Sequence, residues 1–224
     1  MLRRSVIDFH THTLLSDGEL VPAELVRRAQ KNGYSVLGLT DHVDPGNLQT
    51  ILGQTRTLAL SLRGCYENLS ILPGVEITHV PPVLIGDTIK KARDLGASHV
   101  VVHGESLVEP VAPGTNLAAI IAGADILAHP GFLTEKEAAL AAERGVFLEL
   151  SARGGHCLTN GLVAKLAHKT GAALLVNSDG HDIGDYLTPD RQRGIALGAG
   201  LSEDKFITLM AEAARLADTF ARKI

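Results

Sequence analysis

Seven short apolar runs, each ending at or close to a histidine or a carboxylate residue, recur along this 224-residue chain and constrain its fold most strongly. Segments of helix-forming composition separate these runs. Continuous apolar strands that alternate with helices predict a parallel sheet covered by helices on both faces. The runs lie at residues 6–9, 35–39, 69–75, 98–102, 124–128, 146–150 and 172–176.

The polar side chains at the C-terminal ends of the runs indicate how that sheet is arranged. They are His10, His12, Asp17, Asp41, His42, Glu76, His103, His129, Glu149, Asp179 and His181. A closed βα barrel builds its site at this face from the ends of many strands. An open doubly wound sheet instead gathers its ligands at one switch point. We therefore predict an α/β barrel of seven strands, with residues 1–224 forming a single domain.

The charge and the cysteine content exclude several classes of protein. Lys plus Arg is 21 and Asp plus Glu is 25, so the formal net charge of −4 gives no general attraction to nucleic acid or to anionic membrane. No apolar run approaches the roughly 18 residues of a membrane span, and the N-terminus lacks a signal-peptide pattern. Cys65 and Cys157 are far apart in the sequence, as is typical of ordinary thiols in a reducing compartment. We expect a cytoplasmic protein without membrane or nucleic-acid partners, and its oligomeric state stays open.

The first run delivers two histidines, His10 and His12, with one residue between them. Side chains at i and i+2 of a strand point to the same side, so both imidazoles can reach one point. A pair like this is often only a surface or core feature, but the six other runs favour a metal site. Imidazole and carboxylate ligands without thiolate suit Zn²⁺, Mn²⁺ or Fe²⁺. Because the donors exceed what one ion can use, we predict two or three divalent ions that share a carboxylate.

The motifs H-T-H-T…S-D-G, T-D-H, P-G-V-E, V-H-G-E, A-H-P-G and N-S-D-G-H occur in this order between residue 6 and about residue 190. The series resembles the PHP (polymerase and histidinol phosphatase) family of metal-dependent phosphoesterases. That resemblance implies a distorted seven-stranded (β/α)7 TIM-like barrel with three metal ions. The implied ligands are His10, His12, Glu76 and Asp179 for the first ion, Glu76, His103 and His129 for the second, and Asp17, His42 and His181 for the third. Asp17 stands where some members of the family have histidine.

The resemblance also implies an activity, that of a stand-alone enzyme like the histidinol phosphatases of histidine biosynthesis. Such an enzyme would hydrolyse a small phosphomonoester, with L-histidinol phosphate as one candidate, through attack by a metal-bridging hydroxide. Glu76, Asp179 and His181 are the predicted catalytic residues. Three alternatives stay open: a phosphatase or phosphodiesterase acting on nucleotides, a non-catalytic metal-binding module, and an amidohydrolase-like barrel. The last of these also places H-x-H on its first strand but usually adds a bridging lysine, which no strand end offers here.

Residues beyond the predicted ligands are candidates for binding the substrate. Arg153 follows the sixth run, where a guanidinium can hold a phosphate through two hydrogen bonds. An arginine that is only exposed to solvent in a loop is an equally good interpretation. Arg193 and His156 are further substrate-binding candidates. We expect Glu149 and Glu105 to support the ligands rather than to bind an ion.

Overall fold

The computed structural model describes residues 5–224; residues 1–4, the start of the predicted single domain, lie outside that range. The strands are β1 (Val6–Asp8), β2 (Tyr34–Leu39), β3 (His42–Val43), β4 (Ser70–Pro73), β5 (Val75–Ile77), β6 (Val100–His103), β7 (Ile126–Ala128), β8 (Phe147–Ser151) and β9 (Leu174–Asn177). The helices are α1 (Pro22–Lys31), α2 (Leu48–Ser61), α3 (Pro82–Asp94), α4 (Thr115–Ile121), α5 (Glu135–Arg144), α6 (Asn160–Thr170), α7 (Pro189–Gly198) and α8 (Glu203–Ala221). A short 3₁₀ helix, His156–Thr159, follows β8.

The strands pair in parallel in the orders β1-β2-β4 and β3-β5-β6-β7-β8-β9. β2 continues into β3 and β4 into β5, each after a short interruption, which gives seven strand positions. A backbone hydrogen bond joins these two interrupted strands where they are broken: Gly74 N–H donates to the Leu39 carbonyl at 2.9 Å. The ring closes beyond β1 and β9, where Thr11 forms a parallel bridge with Gly180. The predicted distorted seven-stranded (β/α)7 TIM-like barrel is therefore confirmed.

An apolar cluster fills the barrel at the end away from the C-terminal ends of the strands. It joins Ile7, Phe9 and Ile126 of the strand segments to Phe220 of α8. The Phe220 ring packs edge-on against Phe9, with centroids 5.5 Å apart, and stacks on His99 at 4.9 Å. Because His99 lies just before β6 and His103 ends it, the apolar cluster and the polar ends occupy opposite ends of the barrel.

Local sequence signals mark several helix starts. Thr134 followed by Glu137 is typical of a capping box, which is present at the start of α5, and Ser202 caps α8. The sequence pattern fits a helix from Gly86, but α3 begins at residue 82, because Pro82 fits the first turn of a helix. Among residues 5–224, no helix combines the length and the apolar character needed to cross a membrane.

From its composition, the segment through Pro189 reads as a polar loop before the last helix, but α7 occupies it. This helix contains two glycines and has few apolar residues, so its pattern gives no clear helical signal. It is attached to the barrel by a buried polar contact instead. The Gln192 amide donates to the carbonyls of Ile7, at 2.6 Å, and Val176, at 2.9 Å.

His99 makes the stability of the barrel depend on pH. Its Nε2 lies 2.8 Å from the Phe9 carbonyl, and burial lowers its pKa to about 4. An unfolded histidine has a pKa near 6.5, so between about pH 4 and 6.5 the unfolded chain binds more protons and stability falls as the pH falls. In urea unfolding at pH 7 and pH 4.5, we expect wild type to lose about 2 kcal/mol more than His99→Gln. His168→Gln, on α6, is the matched control, and parallel pH profiles for wild type and His99→Gln would refute this role.

Candidate metal centre

The strand-end side chains converge at one end of the barrel. Four groups of histidines and carboxylates each have donor atoms within 4.8 Å of one another. The groups are His12, Asp17, His42 and His181; His10, His12 and Glu76; His10, His129 and Asp179; and His103, His129 and His156. The groups share residues. His12 belongs to both the Asp17 group and the Glu76 group, His10 to both the Glu76 group and the Asp179 group, and His129 to both the Asp179 group and the His103 group. All nine predicted metal ligands therefore lie in one connected cluster.

Glu76 of β5 lies between the groups, and its side chain is fully buried. Its Oε1 is 3.2 Å from His10 Nε2 and 3.7 Å from His129 Nε2. Its Oε2 is 2.6 Å from His42 Nδ1 and 3.6 Å from His12 Nε2. Burial opposes ionisation of Glu76, but His10 and His42 hold the pKa of its carboxyl well below its usual range. A charged carboxylate with imidazoles on every side is suited to bridging cations.

Several imidazoles are held with one nitrogen turned towards the cluster. The Nδ1 atoms lie 2.8 Å from Glu149 Oε2 in His10, 3.1 Å from the Gly104 carbonyl in His103, and 2.9 Å from the Asp179 carbonyl in His181. Carbonyl and carboxylate oxygens only accept hydrogen bonds, which assigns a proton to Nδ1 and directs Nε2 into the cluster. Metal-binding histidines have this arrangement.

Unpartnered polar atoms in the cluster fit a bound cation. Among the described residues, His10 Nε2, Glu76 Oε1, Asp179 Oδ2 and both ring nitrogens of His12 and His129 are buried without a hydrogen-bond partner. Each such atom ordinarily costs about 1–3 kcal/mol, and native interiors contain few of them. Their concentration at one point, in a set of nitrogen and oxygen donors without sulfur, is what divalent Zn²⁺, Mn²⁺ or Fe²⁺ sites require.

The backbone is strained or tightly packed where it presents these side chains. His129 and Asp179 have φ values of 26° and 52°, in the left-handed region that non-glycine residues rarely adopt. A Cβ added to Gly18 would lie 2.6 Å from the His12 carbonyl, so glycine is needed for the loop carrying Asp17 to approach β1. A Cβ on Gly104, next to His103, would collide with the Ala128 carbonyl. These features favour a site whose geometry is fixed by its surroundings.

Burial and neighbouring charges shift the pKa values within the cluster in opposite directions. Burial, with the charges of Glu76 and Glu149, raises the pKa of Asp179 to about 7. Burial opposes protonation of His10, but Glu149, Glu76 and Asp179 raise its pKa well above the usual value. Burial and the nearby His42 lower the pKa of His12. The cluster thus contains a carboxyl group with a raised pKa, one imidazole that is kept neutral, His12, and one whose protonated form is favoured, His10.

The remaining predicted residues take different positions. Arg153 lies at the cluster, where its Nη1 donates to the Asp179 carbonyl at 3.4 Å. Arg193 forms an ion pair with Glu203 of α8. Asp41 accepts hydrogen bonds from Thr13 N–H at 2.7 Å and holds the loop after β1. Glu105 organises its own loop, because it accepts the N–H groups of residues 114 and 116.

Sequence reasoning missed one carboxylate, that of Glu109. The loop after β6 brings its Oε2 to 3.2 Å from both His79 Nε2 and His103 Nε2, and its Oε1 to 3.3 Å from His156 Nε2. The hydrogen bond with His103 lowers the pKa of Glu109 to about 2. Its only signal in the sequence is a lone acidic residue in a proline-containing loop that follows a ligand-bearing strand.

Glu149, which contacts His10, allows a test of whether residues behind the cluster strengthen metal binding. We expect Glu149→Gln to weaken metal binding by about 10–100-fold, because the negative charge that makes His10 a better donor is lost. The measurement is competition with a chromophoric chelator. Glu143→Gln changes the same charge on the exposed face of α5 and should bind metal like wild type. Equal affinities for both variants would exclude this role.

The fold and the site together define a TIM-barrel-type protein with a candidate divalent-metal centre at the C-terminal ends of its strands. The chain belongs to the family of the uncharacterized protein MJ1295 of Methanocaldococcus jannaschii. The two are 44% identical over 196 residues, which cover 87% of this chain and 90% of that protein. No protein-family model matches the chain.

Several solved structures share the fold at low sequence identity. A Xaa-Pro dipeptidase with bound methionine in the active site matches 96% of this chain and 76% of its own, with a TM-score of 0.61 and 12% identity. An amidohydrolase matches 96% of this chain and 75% of its own, with a TM-score of 0.64 and 11% identity. The aminofutalosine deaminase of Helicobacter pylori matches 96% and 71%, with a TM-score of 0.55 and 13% identity. At these identities the matches establish the common fold.

These comparisons correct the family assignment made from the motifs. The similar structures are of the amidohydrolase type and not PHP phosphoesterases, so the assignment to the PHP family was wrong. The activity that rested on it, hydrolysis of a phosphomonoester such as L-histidinol phosphate, is withdrawn with it. The motifs misled because H-x-H on a first strand and ligands on later strand ends are shared by different metal-binding barrels.

Proposed function

We propose that this protein is a metal-dependent hydrolase that cleaves a carbon–nitrogen bond in a small substrate. The observation that carries the proposal is the buried Glu76 carboxylate, which contacts four imidazoles. It lies in a cluster where, among the described residues, several buried nitrogen and oxygen atoms have no hydrogen-bond partner. The barrel resembles structures described as a dipeptidase, an amidohydrolase and a deaminase, which supports carbon–nitrogen bonds as the target.

The ligand sets inferred from the motifs remain the proposed ones. They are His10, His12, Glu76 and Asp179; Glu76, His103 and His129; and Asp17, His42 and His181. In such a set Glu76 would hold two ions, a role that a lysine usually has in amidohydrolase-like barrels. Two or three divalent ions held there would polarise a substrate carbonyl and make water more acidic.

Asp179 is the proposed proton carrier. Its carboxylate lies 3.4 Å from His12 Nε2 and 3.5 Å from His129 Nε2. A carboxylate in this position can take a proton from attacking water and return it to the leaving nitrogen. Arg153, beside Asp179, is positioned to hold a negatively charged part of the substrate.

An open cleft beside the cluster has room for a small molecule. Its volume is about 390 Å³, and its walls include Asp17, His42, Thr78 and Glu109. Small-molecule sites commonly measure about 300–1,000 Å³. The polar walls favour a substrate that carries hydrogen-bonding or charged groups, such as an N-acyl amino acid, a dipeptide or an aminated heterocycle.

The proposal is tested by steady-state assays of protein loaded with Mn²⁺, Zn²⁺ or Fe²⁺. The panel contains dipeptides, N-acyl amino acids and aminated heterocycles, with p-nitrophenyl phosphate as the competing class. We expect kcat/KM of about 10⁴ M⁻¹s⁻¹ or more for at least one carbon–nitrogen substrate, lost with chelator and with Asp179→Asn. Faster turnover of the phosphate ester than of every carbon–nitrogen compound would contradict the proposal.

A further inference from the structure

We infer that His156 is a metal ligand that completes a set of three imidazoles with His103 and His129. The motifs suggest for His156 only a place in the pocket wall or on the surface. The inference rests on the proposed function in one respect: it requires that the protein binds metal ions. It does not depend on which bond the protein cleaves.

The geometry places His156 inside the cluster. Its donor atom lies within 4.8 Å of those of His103 and His129, as in the groups that contain the predicted ligands. Its ring centroid is 4.2 Å from that of His129 and 5.8 Å from that of His103. Only 5% of the residue is exposed, which excludes an ordinary surface histidine.

The surroundings of His156 occupy one ring nitrogen and leave the other for an ion. Nδ1 lies 2.8 Å from the Ser106 hydroxyl, which comes from the loop after β6. In the tautomer in which Nδ1–H donates to Ser106, Nε2 carries the lone pair that an ion would use. Gly155, with a φ of 86°, makes the turn that brings the 3₁₀ helix beneath this loop.

The charges around His156 also favour a cation. Among the described residues, the two nitrogens of His129 have no hydrogen-bond partner, and Glu109 Oε1 lies 3.3 Å from Nε2 of His156. Three imidazoles are the protein ligands of several catalytic zinc sites, and together with the proposed ligand Glu76 they would give a set of four protein ligands.

The test uses Co²⁺, whose visible spectrum reports its ligands. For His156→Gln we expect either the loss of one bound equivalent after dialysis or at least tenfold weaker binding at one site, with a changed cobalt spectrum. His79→Gln is the matched control, because His79 also contacts Glu109 but lies outside the donor groups, and it should resemble wild type. Ser106→Ala, which keeps the imidazole, should weaken binding less than His156→Gln does.

A second variant gives a positive signal. His156→Cys should show a sulfur-to-cobalt charge-transfer band, which appears only if position 156 contacts the ion. Wild-type stoichiometry and spectrum in His156→Gln, with no such band in His156→Cys, would overturn the inference while leaving the hydrolase proposal intact. A wild-type protein that shows these metal effects but cleaves no carbon–nitrogen bond would overturn the function and leave His156 as a ligand.

Discussion

Replacing Glu76 with glutamine is expected to lower kcat/KM by at least about a thousandfold, the scale seen when a central electrostatic group is removed from an active site. The carboxylate contacts His10, His12, His42 and His129 at 2.6–3.7 Å, and an amide of the same size cannot supply its negative charge to two cations. The side chain keeps its volume, so we expect the barrel to fold. The measurement is kcat/KM of the metal-loaded variant on the best substrate of wild type.

Glu67→Gln is the control for this variant, because Glu67 is exposed and lies outside the donor groups. It should retain wild-type activity. Circular dichroism and metal content of Glu76→Gln separate lost chemistry from lost structure. Near-normal turnover by a folded Glu76→Gln protein would remove Glu76 from the mechanism.

Saturating divalent metal is expected to raise the Tm of the metal-free protein by about 8–16 °C. A ligand at a thousand times its Kd stabilises the folded state by about 4 kcal/mol, and a chain of this size gains about 2–4 °C for each kcal/mol. The physical reason is the cluster of buried nitrogens and oxygens without hydrogen-bond partners around His12 and His129. Thermal unfolding followed by circular dichroism, with and without metal, measures the shift.

The shift should shrink in His12→Ala, since that residue belongs to two donor groups. It should persist in His168→Ala, where the imidazole lies on α6 outside the groups. A Tm that does not respond to Mn²⁺, Zn²⁺ or Fe²⁺ in wild type would show that the unpartnered atoms are not a site for these ions.

The barrel could be predicted because two kinds of sequence signal agree: the order of apolar runs and helices along the chain, and the residues that begin individual helices. Seven apolar runs alternate with helices, and the capping residues Thr134 and Ser202 mark helix starts with local chemistry. Helix α7 could not be predicted, because its attachment depends on the hydrogen bonds of Gln192 to two distant strands. Such contacts leave no periodicity in the sequence.

The part of the cluster that lies at strand ends could be predicted from the sequence, and the part that lies on loops could not. Residues in the last part of a strand, such as His103 at the end of β6 and Glu76 within β5, are placed by the barrel itself. Glu109 and His156 are placed by loops, whose course depends on contacts such as Ser106 with His156. The activity was predicted wrongly for a related reason: the metal ligands constrain the chemistry less than the walls of the cleft do.

Anomalous diffraction from crystals grown with Mn²⁺ or Zn²⁺ tests the central claim most directly. Data collected on both sides of the metal absorption edge locate the ions without reference to activity. We expect at least two anomalous peaks within the cluster, with Glu76 between them and His103, His129 and His156 around one of them. A cluster without anomalous peaks, or a single ion that does not contact Glu76, would contradict it.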